Sequence, residues 1–248
     1  MRRYPAPNRR GIRAAAVYAL AVLATLALPA LGQARTVKRQ VLSHPGFKST
    51  WAYLESGTDA YASPSRHSPV LGYLGLTTQD GTSQLLLEQQ RVLIHGAWWV
   101  QVRLPLRPAG QIGWVPESTL GEPQTVHTYV VVSTEKMTLT LYRDGKVIFS
   151  TRVGTGKAST PTPHGQFYIR DRLTGFAPGS IYGPVAFGTS ALSNVETDWP
   201  GGGVIGIHGT NEPSLIPGHP SHGCIRVPNW EIVQLARSLP IGTPLTIE

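Results

Sequence analysis

Cys224 is the only cysteine in the chain. It stands in Pro220-Ser221-His222-Gly223-Cys224-Ile225-Arg226-Val227, shortly after Ile205-Gly206-Ile207-His208-Gly209-Thr210. A lone thiol has no internal disulfide partner, so it is a buried bystander, an intermolecular link or a working nucleophile. Near pH 7 a neutral thiol attacks poorly, unless a nearby imidazole takes its proton and holds the thiolate. His208 and His222 supply such imidazoles. Gly223 lets backbone N–H groups turn toward one point, as a developing oxyanion on an attacked carbonyl requires. Arg226 holds a fixed positive charge at any pH. Together these parts fit acyl transfer through a thioester.

Each residue also has a plainer role. A structural cysteine would want an apolar pocket, against which the polar His222 and Arg226 argue. For His222 a hydrogen-bonded structural role stands beside the catalytic one, because one imidazole suffices for proton transfer. A surface ion pair stands beside a site role for Arg226. Zinc held by His208, His219, His222 and Cys224 is the rival from another class. No HExxH or CxxC spacing is present, and Glu212 is the only carboxylate between His208 and Cys224. The expectation is therefore no metal.

The elements that must position these residues are mostly strands. The chain has 27 glycines and 21 prolines in 248 residues, which favours turns and strands over a helical bundle. Residues 35–50 carry no sustained period and read as a linker. Between residues 51 and 120 the clearest strand runs are Val70-Leu71-Gly72-Tyr73-Leu74, Ser83-Gln84-Leu85-Leu86-Leu87 and Trp98-Trp99-Val100-Gln101-Val102. Trp98, Trp99 and Trp114 there are either core or the walls of a ligand groove. Residues 117–125 form a polar boundary, and a second β-rich unit occupies 126–248. In it, Thr128-Tyr129-Val130-Val131-Val132-Ser133 reads as a buried strand, and Asp144-Gly145 as the turn of a hairpin. Residues 228–240 read as a short C-terminal helix, with Asn229 as its cap and Pro240 as its stop; residues 243–247 read as a closing strand.

Two stretches resemble known families. His208-Gly209-Thr210 and Ser221-His222-Gly223-Cys224-Ile225-Arg226 are similar to the signature of the L,D-transpeptidase (YkuD-like) family. Thr155-Gly156-Lys157 with Ser159-Thr160-Pro161-Thr162-Pro163-His164-Gly165-Gln166-Phe167 resembles an earlier stretch of that family. The likeness runs from about residue 127 to the C-terminus. Separately, Ala97-Trp98-Trp99-Val100-Gln101-Val102 followed by Gly113-Trp114-Val115-Pro116 resembles the end of a bacterial SH3-like domain. These resemblances imply a mainly β protein, a small SH3-like β-barrel followed by a β-rich L,D-transpeptidase catalytic domain. They imply Cys224 as nucleophile, His208 as proton donor and acceptor, and His222 beside the thiolate. The amides of His222, Gly223 and Cys224 would form the oxyanion hole. Ser221 would fix the loop, Gly209 and Thr210 would lie at the substrate, and Arg226 would orient a substrate carboxylate. Many family members have Asn where this chain has Arg226. The implied substrates are peptidoglycan stem peptides, joined by cleaving a donor tetrapeptide and passing its acyl group to a stem amine, or to water as an L,D-carboxypeptidase.

Charge agrees with an extracytoplasmic protein and not with nucleic-acid binding. The net +8 includes five arginines within residues 1–34, which hold no Asp or Glu; the remainder has 17 basic against 14 acidic residues. So small and scattered a surplus gives little counterion-release drive toward nucleic acid. The basic head precedes an apolar run over residues 14–28, then Pro29 and Gly32-Gln33-Ala34, the layout of a secretory signal peptide over residues 1–34. Left uncleaved, the same run would be a membrane anchor. Both place the rest of the chain in the cell envelope, periplasm or wall.

Overall fold

Strand makes up 49% of the computed structural model and helix 6%, so the protein is mainly β. The structure describes Met1, residues 38–198 and residues 202–248; the expected signal segment lies outside the described residues. Among them, eight strands form a first sheet: β1 (Arg39–Val41), β2 (Ser49–Tyr53), β3 (Thr58–Tyr61), β4 (Val70–Leu74), β5 (Leu85–Ile94), β6 (Ala97–Arg103), β7 (Ile112–Pro116) and β8 (Gln124–Val126). Their order is β4-β3-β7-β6-β5-β2-β8, with β1 on β5. The linker expected over residues 35–50 is, from residue 39 on, part of this sheet. β1 pairs antiparallel with β5, His44 bridges to Lys48, and β2 begins at Ser49. A three-residue edge strand is too short for alternation to reveal. The polar boundary likewise contributes β8, which pairs with β2.

The second sheet contains β9 (Thr128–Ser133), β10 (Thr138–Arg143), β11 (Lys146–Arg152), β12 (Gly154–Gly156), β13 (Gly165–Thr174), β14 (Val185–Leu192), β15 (Val204–His208), β16 (Gly218–Ser221), β17 (Ile225–Arg226) and β18 (Pro244–Ile247). Its order is β11-β10-β9-β18-β13-β14-β15-β17-β12-β16. The β10–β11 hairpin turns where expected, with φ of 48° at Asp144 and 73° at Gly145, the paired positive values that a two-residue type I′ turn demands. Helix α1 spans Asn229–Leu235 and is shorter than expected. The N–H groups of Arg237 and Ser238 turn back to Gln234 and Leu235, tightening the chain ahead of Pro240. Asn229 does not cap this helix; its side-chain oxygen is spent on the Thr210 amide at 2.8 Å.

Alternation on β5 explains how the sheets meet. Leu86 faces a core with Val100, Val102 and Val115, while Leu85 and Leu87 face the other way onto Trp51, Val126 and Tyr168. Tyr168 belongs to β13 of the second sheet, is fully buried, and donates its hydroxyl to the Leu85 carbonyl at 2.9 Å. Three large side chains on one strand thus serve two interfaces, which fits a continuous apolar run where one-sided burial would give strict alternation. Trp99 and Trp114 are core, packed with Tyr61 and Val92. Trp98 is half-buried, with the Arg91 guanidinium 4.6 Å above its ring.

Candidate functional site

The site forms where β15 and β17 run parallel, with Ile207 opposite Ile225 and His208 opposite Arg226. Residues two apart on a strand share a face, so Gly206 and His208 point to the same side. A methyl group on Gly206 would lie 3.6 Å from His208 Cδ2 and 3.9 Å from Cys224 Sγ. Imidazole and thiol therefore flank the one strand position that has no side chain. Tyr182 stands edge-on to the His208 ring, centroids 5.1 Å apart.

The nucleophile loop is tied at several points. Ser221 Oγ donates to the Cys224 carbonyl at 2.6 Å and accepts the Gly223 N–H at 3.1 Å. Buried Thr162 donates to the Gly223 carbonyl at 2.8 Å and accepts the Gly156 N–H at 2.9 Å. The Thr-Pro stretch thus pins the loop carrying Cys224. Gly223 has φ 120° and a Cβ there would stand 2.8 Å from Ile205 Cδ1, so both backbone and space require glycine.

His208 is buried and its Nδ1 lies 2.6 Å from the Gly209 carbonyl, which accepts the ring proton and leaves Nε2 with its lone pair. Burial pulls its pKa down to about 4, Gly209 opposes, and the Arg226 charge adds to the lowering. Cys224 is half-buried. Burial raises its thiol, against the Gly206 N–H, which points at Sγ from 3.4 Å, and the Arg226 charge. Both groups are driven toward their neutral forms.

Two cavities open on the thiol. One, about 490 Å³, is lined by Ser221, His222 and Arg226 with Cys224 and His208. The other, about 870 Å³, is lined by Phe176, Phe187 and Gly206 with the same pair. His222 is exposed, and its Nε2 accepts from Lys157 Nζ at 2.9 Å. Arg226 donates to Glu212 at 2.8 Å with its side chain 14% exposed. Gly209, Thr210 and Gly223 line neither cavity. Thr210 is buried, held by Asn229 and bonded to the Glu212 amide, and Gly209 packs its backbone against Gly183. His219 bonds Thr155 at 2.9 Å, and no group of three or more His, Cys, Asp or Glu among the described residues is placed to hold a metal. Gly206, Tyr182, Thr162 and Asn229 were not singled out from sequence for the site. Gly183-Pro184 beside Tyr182 and the glycine before Ile207 were the available signals.

A mainly β protein with a thiol and an imidazole at adjoining parallel strand ends is the class that fold and site define. The family model of the L,D-transpeptidase catalytic domain, YkuD, matches residues 127–247. YkuD of Bacillus subtilis (strain 168) is 38% identical over 139 residues, 56% of this chain and 76% of that protein. YqjB of the same organism is 34% identical over 139 residues, 52% of this chain and 76% of that protein. A crystal structure of a point mutant of the Enterococcus faecium L,D-transpeptidase is 27% identical with a TM-score of 0.37; 49% of this chain matches 50% of that one, so the match spans half that protein's length. The chain belongs to the YkuD L,D-transpeptidase catalytic-domain family.

Proposed function

We propose that this chain is an exported, cysteine-dependent L,D-transpeptidase that crosslinks peptidoglycan. The observation that carries this reading is the placement of thiol and imidazole on either side of Gly206. In the first step His208 Nε2 takes the Cys224 proton as Sγ bonds to the carbonyl carbon of the third residue of a donor tetrapeptide stem. The intermediate collapses, the bond to the terminal D-Ala nitrogen breaks, and His208 returns the proton to that amine. In the second step a stem amine attacks the thioester carbon, the C–S bond breaks and the released proton returns to the site through His208. One peptide bond replaces another, so neither ATP nor a cofactor is required. Water as acceptor gives L,D-carboxypeptidase activity.

The amide of Cys224 is the preferred oxyanion donor, because the Gly223 N–H is engaged with Ser221. Arg226 offers its charge to the donor's terminal carboxylate, and His222, beside Lys157, borders the same cavity. Residues 126–248 are the catalytic domain. Residues 51–120 are an SH3-like unit, and residues 1–34 a signal peptide whose retention would leave a membrane anchor. Purified protein and its Cys224→Ala variant, incubated with muropeptides and read by mass spectrometry, test the reading. Third-to-third crosslinked dimers made only by the unsubstituted protein are expected. Dimers made equally by the variant would overturn it.

A further inference from the structure

The larger cavity at Cys224 is not built by the second sheet alone. The loop between β4 and β5 of the first sheet sends Gln79 and Asp80 into its wall, in the same cavity as His208 and Cys224. That loop is a tight turn: the Asp80 N–H meets Thr78 Oγ1 at 3.2 Å, and the Thr78 N–H meets the Thr82 carbonyl at 2.8 Å. It is also bolted to the catalytic sheet. Thr82 Oγ1 donates to Asp171 at 3.1 Å, while the other oxygen of Asp171 accepts the Gly188 N–H at 2.9 Å. Buried Arg170 donates to Gln79 at 3.0 Å. These bonds fix Asp80 relative to the strands that carry the thiol.

The two cavities differ in charge. Among the described lining residues, the smaller holds Arg226, the one Lys or Arg of either cavity, together with the carboxylate of Glu196. Asp80 is the one carboxylate of the larger, and its other walls are mainly apolar or glycine. The transferase reaction needs two partners of opposite end charge at one sulfur. The donor ends in a carboxylate, and the acceptor brings an amine that is an ammonium before it reacts. We propose that Asp80 is a specificity-determining residue that receives the cationic amine of the acceptor in the larger cavity, so that the first sheet takes part in choosing the acceptor. This rests on the transpeptidase reading above and extends it to the second substrate. Burial and the nearby Asp171 raise the Asp80 carboxyl, against Arg170, and an arriving cation relieves both pressures. Asp80 acts in capture; the ammonium gives one proton to solvent water before its nitrogen bonds to the thioester carbon, and as the C–S bond breaks a second proton passes from nitrogen through His208 to the departing sulfur.

Asp80→Asn and Asp80→Glu in the full chain test this, with a tetrapeptide donor and a stem bearing a free side-chain amine as acceptor. Three quantities are read: D-Ala release from donor without acceptor, acceptor KM, and the ratio of dimer to hydrolysed tripeptide. Asp80→Asn should raise acceptor KM roughly two- to five-fold, the size that a solvent-screened ion pair supports, and lower the dimer ratio. Donor-only release should not change, and Asp80→Glu should restore the ratio. The KM of the unsubstituted protein should rise with salt and that of Asp80→Asn should not. Unchanged KM and ratio overturn the inference, as does a parallel fall in donor-only release, which would put Asp80 on the donor side. No D-Ala release by the unsubstituted protein would instead remove the underlying transpeptidase reading, and this inference with it.

Discussion

Gly206→Ala isolates the claim that thiol and imidazole react across an empty strand position. The added methyl would lie 3.6 Å from His208 Cδ2, 3.9 Å from Cys224 Sγ and 3.4 Å from the Phe187 carbonyl oxygen, contacts at or just inside ordinary van der Waals range. Gly206 does not appear among the glycines of positive φ, so alanine meets no backbone penalty of that kind. The N–H that points at Sγ from 3.4 Å is retained, and with it the support for negative charge on sulfur. Stability should therefore hold or rise. Replacing glycine at a compatible position contributes about 0.4–1 kcal/mol through the unfolded chain, or roughly 1–4 °C in Tm for a unit of this size. Activity should behave oppositely. The methyl fills the space through which the proton and the attacked carbonyl must pass, and a displacement of about 1 Å from attack geometry can cost on the order of 100-fold. Thermal melting followed by circular dichroism and D-Ala release from a tetrapeptide donor are the two assays. A variant with unchanged Tm that keeps activity within threefold of the parent would refute the reasoning, because the face of Gly206 would then not be the reacting face.

Three further outcomes follow from other buried groups. Glu88 is pushed up to about 7 by burial and then by Glu117, with Arg91 opposing; the native state thus binds the extra proton between about pH 4.5 and 7, and stability from this group falls as pH rises through that window, by up to about 3 kcal/mol. Glu88→Gln should remove that slope. His208, lowered to about 4, has the opposite sign and favours stability as pH rises from 4 to 6.5, so the quantity to read is the difference in Tm between variant and parent; an unchanged difference across pH 4.5–8 would count against the burial of the charge. Thr162→Val strands the Gly156 N–H and the Gly223 carbonyl in the interior, at about 1–3 kcal/mol, and should lower Tm and kcat/KM together. Thr160→Val deletes a buried hydroxyl without a partner among the described residues and should leave Tm unchanged or raise it; equal losses in the two variants would show that Thr162 holds nothing in particular.

What was legible in the sequence follows from the range of the forces involved. The β10–β11 hairpin declared itself because Asp144-Gly145 satisfies a local backbone demand, and β9 because six consecutive residues suit a buried strand. The sequence also singled out Cys224 and His208, which the fold brings together beside Gly206. The residues that position them were not legible. Thr162 reaches the nucleophile loop across 61 residues of chain, and Asn229 serves Thr210 across 19, where a helix N-terminus gave a local reading that tertiary contact overrode. Gly206 carries meaning only because Cys224 lies immediately before the neighbouring strand, β17. Asp80 belongs to a different sheet and no periodicity links it to the thiol. Strand β1 is set by pairing with β5 and not by its own three residues.

The electrostatics of the pair constrain how the reaction can start. Burial raises the thiol and lowers the imidazole, so a resting thiolate–imidazolium pair is disfavoured from both sides. A neutral thiol is slow to alkylate and to oxidise, which suits a lone cysteine in an exported protein of the kind proposed. A neutral His208, with its Nδ1 proton committed to Gly209, is in turn a base whose free Nε2 is already formed. In the proposed reaction, proton transfer then has to accompany formation of the C–S bond, when negative charge leaves sulfur for the substrate oxygen and no buried thiolate has to persist. The Gly206 N–H and Arg226 both oppose the rise in the thiol, and in the proposed reaction they would stabilise sulfur as the bond forms and again as the thiolate leaves in the second step. The same two groups would thereby assist both half-reactions, whichever acceptor arrives.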